Sequence, residues 1–274
     1  MPSAILEQLR AFGSLADPDL PLAETALLLA GVDHPEVDLM PYRAHLHALG
    51  EAVGRAARAT DGVERQAAAL AEVIAGSFGY RGDSETYNDA RNANLIDVID
   101  RRKGLPVALG ILYLHACRAY GGKASGLGFP SHFLIRLDAR GQRAILDPFH
   151  RGRMLDAAGL RRLLKELHGQ EAEMAPDHYA EIGNRDILIR LQNNLKLRAI
   201  AAGNLMRAAE LLETMTLFAP ERSELSWELA VIESRIGQVE RAIATLERFL
   251  ADRPGADGRA ELEELLSRLR SRLP

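Results

Sequence analysis

The chain has 274 residues, 47% of them hydrophobic and 26% charged, so it is long enough for one large core or two domains and too apolar for a disordered polymer. Lys and Arg total 34 against 38 Asp and Glu, a net charge of −4 without blocks of like charge, which excludes a general electrostatic footprint for nucleic acid. The single cysteine, Cys117, rules out an internal disulfide and a multi-cysteine metal site and fits a reducing compartment.

No apolar stretch reaches the ~18–20 residues that cross a bilayer, and the opening MPSAILEQLR has no export or transit pattern. A cytoplasmic protein without membrane contact is expected. Residues 1–77 read as helices: Leu46, Leu49, Val53 and Ala57 form one apolar stripe, residues 63–74 another, and Asp61-Gly62 breaks between them. The polar segment FGYRGDSETYNDARNANL, residues 78–95, suits an ordered loop layer. Its Asn92 and Asn94 either satisfy their own turns or line a shared polar cleft. Arg101, Arg102 and Lys103 read as a solvated helix end.

Gly104-Leu105-Pro106 opens a helix expected to run to about Ala119, with Pro106 in the first turn, where a missing N–H costs nothing. Gly121-Gly122 stops it. Residues 131–137 and 142–146 then read as two strands of a hairpin, and helix returns from about Asp156. Helices, then strands, then helices describe an α+β front domain.

Past residue 178 the strongest internal signal is a repeat. Leu195 and Leu229, Gly203 and Gly237, Arg207 and Arg241, Ala208 and Ala242, Leu212 and Leu246, and Pro220 and Pro254 are each 34 positions apart, the tetratricopeptide period. Leu262, Leu265, Leu266, Leu269 and Leu273 mark a capping helix. Such arrays usually hold a protein or peptide partner. Ile182, Ile187, Leu188 and Leu191 are spaced to set the array against the front domain.

A hairpin turn centred between Ala139 and Arg140 places His132 opposite Asp147, close enough for the carboxylate to orient the imidazole. Such a pair is either structural or the base-and-orienter half of a nucleophilic triad, and an odd-length turn would break it. Ser131, adjacent in the same strand, would point to the other face. His132, Asp147 and His150 could also ligate a metal, but one short segment without a second ligand cluster argues for none. No cofactor is expected. A thiol at Pro106 would complete a triad, and none stands there; Cys117 lies 11 residues on, about 16 Å along the helix at ~1.5 Å per residue.

GLPVALGILYLHACRAYG, FPSHFLIRL and ILDPFHRG together resemble the core of the transglutaminase-like superfamily, with a papain-like triad of helix-start Cys, strand His and Asp. The SirB-type bacterial branch is the closer resemblance, through FGYRGDSETYNDARN, IDVIDRRKGLP and the repeats. It implies an α+β, transglutaminase-like (papain-like) core at 78–177, a helical N-terminal part at 1–77 and C-terminal α-helical tetratricopeptide repeats with a cap at 178–274. His132 takes the triad histidine position and Asp147 the aspartate position, while Pro106 stands at the cysteine position. Asn92, Asn94, Pro106 and Phe129 are the expected binding positions. The expected function is a catalytically degenerate binding or adaptor protein; the alternative is a hydrolase or transferase using His132 and Asp147 as general base without a cysteine.

Overall fold

The computed structural model describes residues 2–271. Its first helix, α1 (Pro2–Gly13), buries Leu9 and ends on Gly13, where a Cβ would fall 2.1 Å from the carbonyl oxygen of Leu217. Apolar residues at helical spacing then build α2 (Leu22–Asp33), α3 (Met40–Arg58) and α4 (Val63–Ala71). The stripe of Leu46, Leu49, Val53 and Ala57 is buried along α3, and Gly62, at φ +86°, makes the expected break before α4.

The polar segment that follows is ordered by short-range structure. β1 (Arg81–Gly82) is separated by α5 (Leu95–Arg101) from its parallel partner β2 (Lys103–Gly104). Next comes α6 (Pro106–Ala119), with Pro106 in its first turn as expected. This helix is apolar on nearly every side and buried from Pro106 to Leu114, the pattern of a helix at the centre of a core rather than on its surface.

A five-stranded antiparallel sheet covers it: β3 (Lys123–Leu127), β4 (Leu134–Ala139), β5 (Gln142–Asp147), β6 (Arg153–Leu155) and β7 (Glu181–Ile182), in the order β6-β5-β4-β3-β7. Between β6 and β7 lies α7 (Ala157–His168), capped by the Asp156 carboxylate on the Gly159 N–H at 2.7 Å. Only β4 and β5 were legible as strands.

The β4–β5 hairpin corrects the expected register. Ala139 pairs with Gln142 and Ile135 with Leu146, so the turn is centred between Arg140 and Gly141, one residue beyond the placement that set His132 opposite Asp147, and each residue's partner shifts by two positions. Both turn residues have positive φ, +52° and +77°, the type I′ geometry whose twist suits a two-residue hairpin. Ser131 is no strand residue: at φ +56° it sits in the turn ahead of β4, and His132 follows it outside the ladder.

The remaining helices are α8 (Asn184–Ala201), α9 (Leu205–Phe218), α10 (Ser223–Arg235), α11 (Val239–Asp252) and α12 (Arg259–Arg270). Two compact units result, one of Asp17–Leu191 and one of Met1–Ala16 with Gln192–Pro274. This division differs from the three sequence segments. α1 groups with the C-terminal helices because Gly13 lets it approach α9, and residues 178–191 stay with the larger unit because β7 pairs with β3 and Asp17 binds the backbone N–H groups of Asn184 and Arg185, each at 2.8 Å. In the smaller unit α9 and α11 lie 34 residues apart at both ends. Gly203 and Gly237 both adopt positive φ, and Ala208, Ala242, Leu212 and Leu246 are all fully buried. Among the described residues, no helix is long and apolar enough to cross a membrane.

Packing at α6 yields the first test. A Cβ on Gly110 would lie 2.3 Å from Cε1 of the buried Phe133 ring, which is also held against Gly126 on β3. Gly110→Ala is therefore expected to destabilise the fold by about 1–3 kcal/mol, the usual range for overpacking, read as a lower urea midpoint with an unchanged slope.

Candidate functional site

The Phe133 ring fills a slot between Gly110 of α6 and Gly126 of β3, and this fixes the backbone of its neighbour His132. A second restraint is the half-buried Arg190 on α8, whose guanidinium donates to the carbonyl oxygens of Phe129 and His132 and lies 5.7 Å from the Phe133 ring centroid. The bend carrying His132 is thus held from a helix, a strand and a cation.

Asp147 is the last residue of β5 and is fully buried. The chain then turns sharply: Arg151 and Gly152 both have positive φ, and the Gly152 N–H returns to the Asp147 carbonyl oxygen at 2.8 Å. This turn brings four donors to the carboxylate. His132 Nε2 lies 2.9 Å from Oδ1 and His150 Nδ1 2.7 Å from Oδ2, while the backbone N–H groups of Phe149 and His150 reach Oδ1 at 3.1 and 3.3 Å. Burial pushes the Asp147 carboxyl up, but the hydrogen bonds and charge of His132 and His150 outweigh it and hold the group below its ordinary range. His132 is 7% exposed and His150 about half exposed, so the group has a dry end and a wet end. Phe149 packs edge-on to both imidazoles.

The expected pair of His132 and Asp147 is therefore assembled by a bend and a turn, not by ladder pairing. His150, which the sequence offered only as a metal candidate, binds the other carboxylate oxygen. Tyr113 carried no sequence signal. Pro106, Gly110 and Tyr113, at i, i+4 and i+7, share one face of α6; Gly110 meets Phe133, and the Tyr113 hydroxyl lies 2.8 Å from where a Cβ on Gly152 would stand. That hydroxyl is buried without a hydrogen-bond partner.

Other expected binding positions are spent on structure. Asn92 donates to the Thr86 carbonyl oxygen at 2.7 Å and accepts from Arg101 at 3.0 Å, while Asn94 caps α5 by accepting from Ile96 and Asp97. Phe129 is fully buried in a cluster with Leu127, Leu134, Leu160, Leu163 and Leu164. The basic run is not a solvated helix end: Arg101 reaches the buried Asp83 at 2.8 Å, and Arg102 lies against Tyr80 and His45. Cys117 is buried with its Sγ 3.7 Å from the Tyr120 hydroxyl, and burial pushes its thiol up.

Residues 40–193 match the transglutaminase-like superfamily. The chain is 30% identical to a UPF0162 protein of Xylella fastidiosa over 85% of its own length and 84% of the relative's. It is 31% identical to a UPF0162 protein of Vibrio cholerae over 68% of each. A segment covering 30% of the chain is 33% identical to the F-box only protein 21 of Mus musculus, of which it spans 13%.

The Asp147 carboxyl, held low in the folded state, contributes stability that is fully present above its unfolded value of about 3.9 and is lost as pH falls through the lower folded value. Asp147→Asn should cost on the order of 3 kcal/mol at pH 7, because the amide removes the buried charge and turns an NH2 donor toward groups that now donate to a carboxylate oxygen. It should also flatten the acid limb of urea midpoint against pH. An acid limb identical in the variant would assign it to other carboxylates.

Proposed function

We propose, for a chain that belongs to the transglutaminase-like superfamily, that it is a thiol-free member whose His132/Asp147 site holds a ligand instead of forming a thioester. The observation that carries this reading is Pro106. It is buried at the first turn of α6, on the face that carries Gly110 and Tyr113, and it stands where the superfamily resemblance places the nucleophilic cysteine. A proline supplies neither an attacking atom nor an N–H. The chain's one thiol, on Cys117, is buried and disfavoured as a thiolate, so it is no substitute.

The order of the motifs supports placing the chain in the SirB-type branch. The 34-residue offset of α9 and α11, with buried alanines and left-handed glycines at matched places, supports reading the smaller unit as tetratricopeptide-like. Its role would be to hold a protein or peptide partner, which makes the whole a cytoplasmic binding or adaptor protein. A second reading is favoured by one feature: with Asp147 on its Nε2 side, His132 keeps Nδ1 for a water or substrate hydroxyl, the arrangement of a general base in a hydrolase or transferase.

Purified full chain offered a glutamine-containing protein and a fluorescent amine should show neither transamidation nor deamidation. Time-dependent turnover that is lost in His132→Ala would overturn the thiol-free reading. In Pro106→Cys, a thiol placed at the helix start should titrate in the ~3.5–7.5 range of activated cysteines, read as alkylation rate against pH, while the native chain alkylates slowly at every pH below unfolding. An ordinary titration would mean that this face of α6 does not meet the His132 bend as a triad requires.

A further inference from the structure

We propose that His132, Asp147 and His150 form a binding site for a divalent transition-metal ion of the zinc class. One ring nitrogen of His132, one of His150 and one Asp147 oxygen all lie within 4.8 Å of one another. Ligands on a tetrahedral zinc, with bonds of ~2.0–2.2 Å, stand about 3.3 Å apart, so no pair here must close by more than about 1.5 Å. Rotation of His150 supplies that movement, since its side chain is about half exposed. The two imidazole planes are inclined at 31° with centroids 6.0 Å apart, and both rings flank the same carboxylate.

The donor set points to the cation. Two imidazoles and one carboxylate suit zinc and its neighbours, whereas magnesium and calcium take oxygen ligands almost exclusively. Three protein ligands leave a fourth position for water or for an anionic group of a ligand. The backbone is already fixed for this purpose: Arg190 and the Phe133 slot hold the His132 bend, and the left-handed pair Arg151-Gly152 holds the turn that carries His150.

A second observation is independent of the cluster. The Tyr113 hydroxyl is fully buried, has no hydrogen-bond partner, and lies under the same 147–152 turn, where Asp147 is the charge that acts on it. An orphaned buried hydroxyl has lost its water partners without gaining a new one, which destabilises the fold. A water on the open coordination position would give it a partner. On binding, each imidazole moves its N–H proton to its other ring nitrogen, so the ring stays neutral and the metal takes the lone pair that becomes free.

The inference rests on the thiol-free reading only in that no cysteine competes at these residues, and its readout is metal occupancy, not turnover. Full chain stripped with a chelator is titrated with Co²⁺ and with Zn²⁺. One equivalent should bind, with the visible absorption of a four-coordinate cobalt site. His132→Ala and His150→Ala should each weaken binding by more than the roughly 10–100-fold that outer-shell partners cost, and His168→Ala, at the exposed end of α7, should leave it unchanged. Because His150 is half exposed, its variant keeps the test valid if His132→Ala fails to fold. Absence of a stoichiometric site, or an unchanged affinity in His150→Ala, overturns the proposal and leaves the thiol-free reading standing. Conversely, amine incorporation by metal-free protein would sink that reading without touching this one.

Discussion

Asp147 carries a negative charge with no exposure to water, and such a charge costs several kcal/mol unless its oxygens are filled by donors. Here four donors fill them, two imidazoles and two backbone N–H groups, and together they impose two constraints. The Phe149 and His150 N–H groups demand the tight turn after β5, which in turn demands left-handed backbone at Arg151 and Gly152. His132 demands that the bend before β4 be held in place. Much of the local architecture of the larger unit follows from satisfying this one carboxylate.

That requirement explains why α6 is placed as it is. A helix buried on nearly every face can serve as the floor of a site only where small residues let neighbours approach, and Gly110 does this for the Phe133 ring. Pro106 lies one turn away on the same face, at a position that needs no N–H, so the fold tolerates it without a local penalty. Beside this face of α6 the carboxylate with its imidazoles keeps its full set of hydrogen bonds.

The smaller unit obeys a different logic. Its α9 and α11 stand 34 residues apart, and its helices bury apolar faces against one another rather than around a polar centre. Polar groups within it are satisfied locally: the buried Glu233 carboxyl accepts from Thr245 at 3.0 Å, and Lys196 reaches Glu228 at 2.5 Å. The N-terminal helix α1 joins this unit through Gly13.

Features set by local chemistry were legible in the sequence. The helix start at Pro106, the break at Gly62, the strands β4 and β5 and the 34-residue offset all follow from periodicity or turn residues. What needed the tertiary structure was decided by partners distant in the chain. β3, β6 and β7 are strands because a sheet edge was there to receive them, not because their residues alternate. The hairpin turn moved by one residue, shifting every partner by two positions, because Arg140 as well as Gly141 accepted positive φ, which side-chain type alone does not announce. Tyr113 and Arg190 joined the site from helices about 20 and 58 residues from His132, brought there by packing. The sequence by itself marked His132 and Asp147 as candidates for one carboxylate–imidazole pair; only the folded chain, through the bend before β4 and the turn after β5, brought them together with a second imidazole and placed a buried hydroxyl beneath that turn.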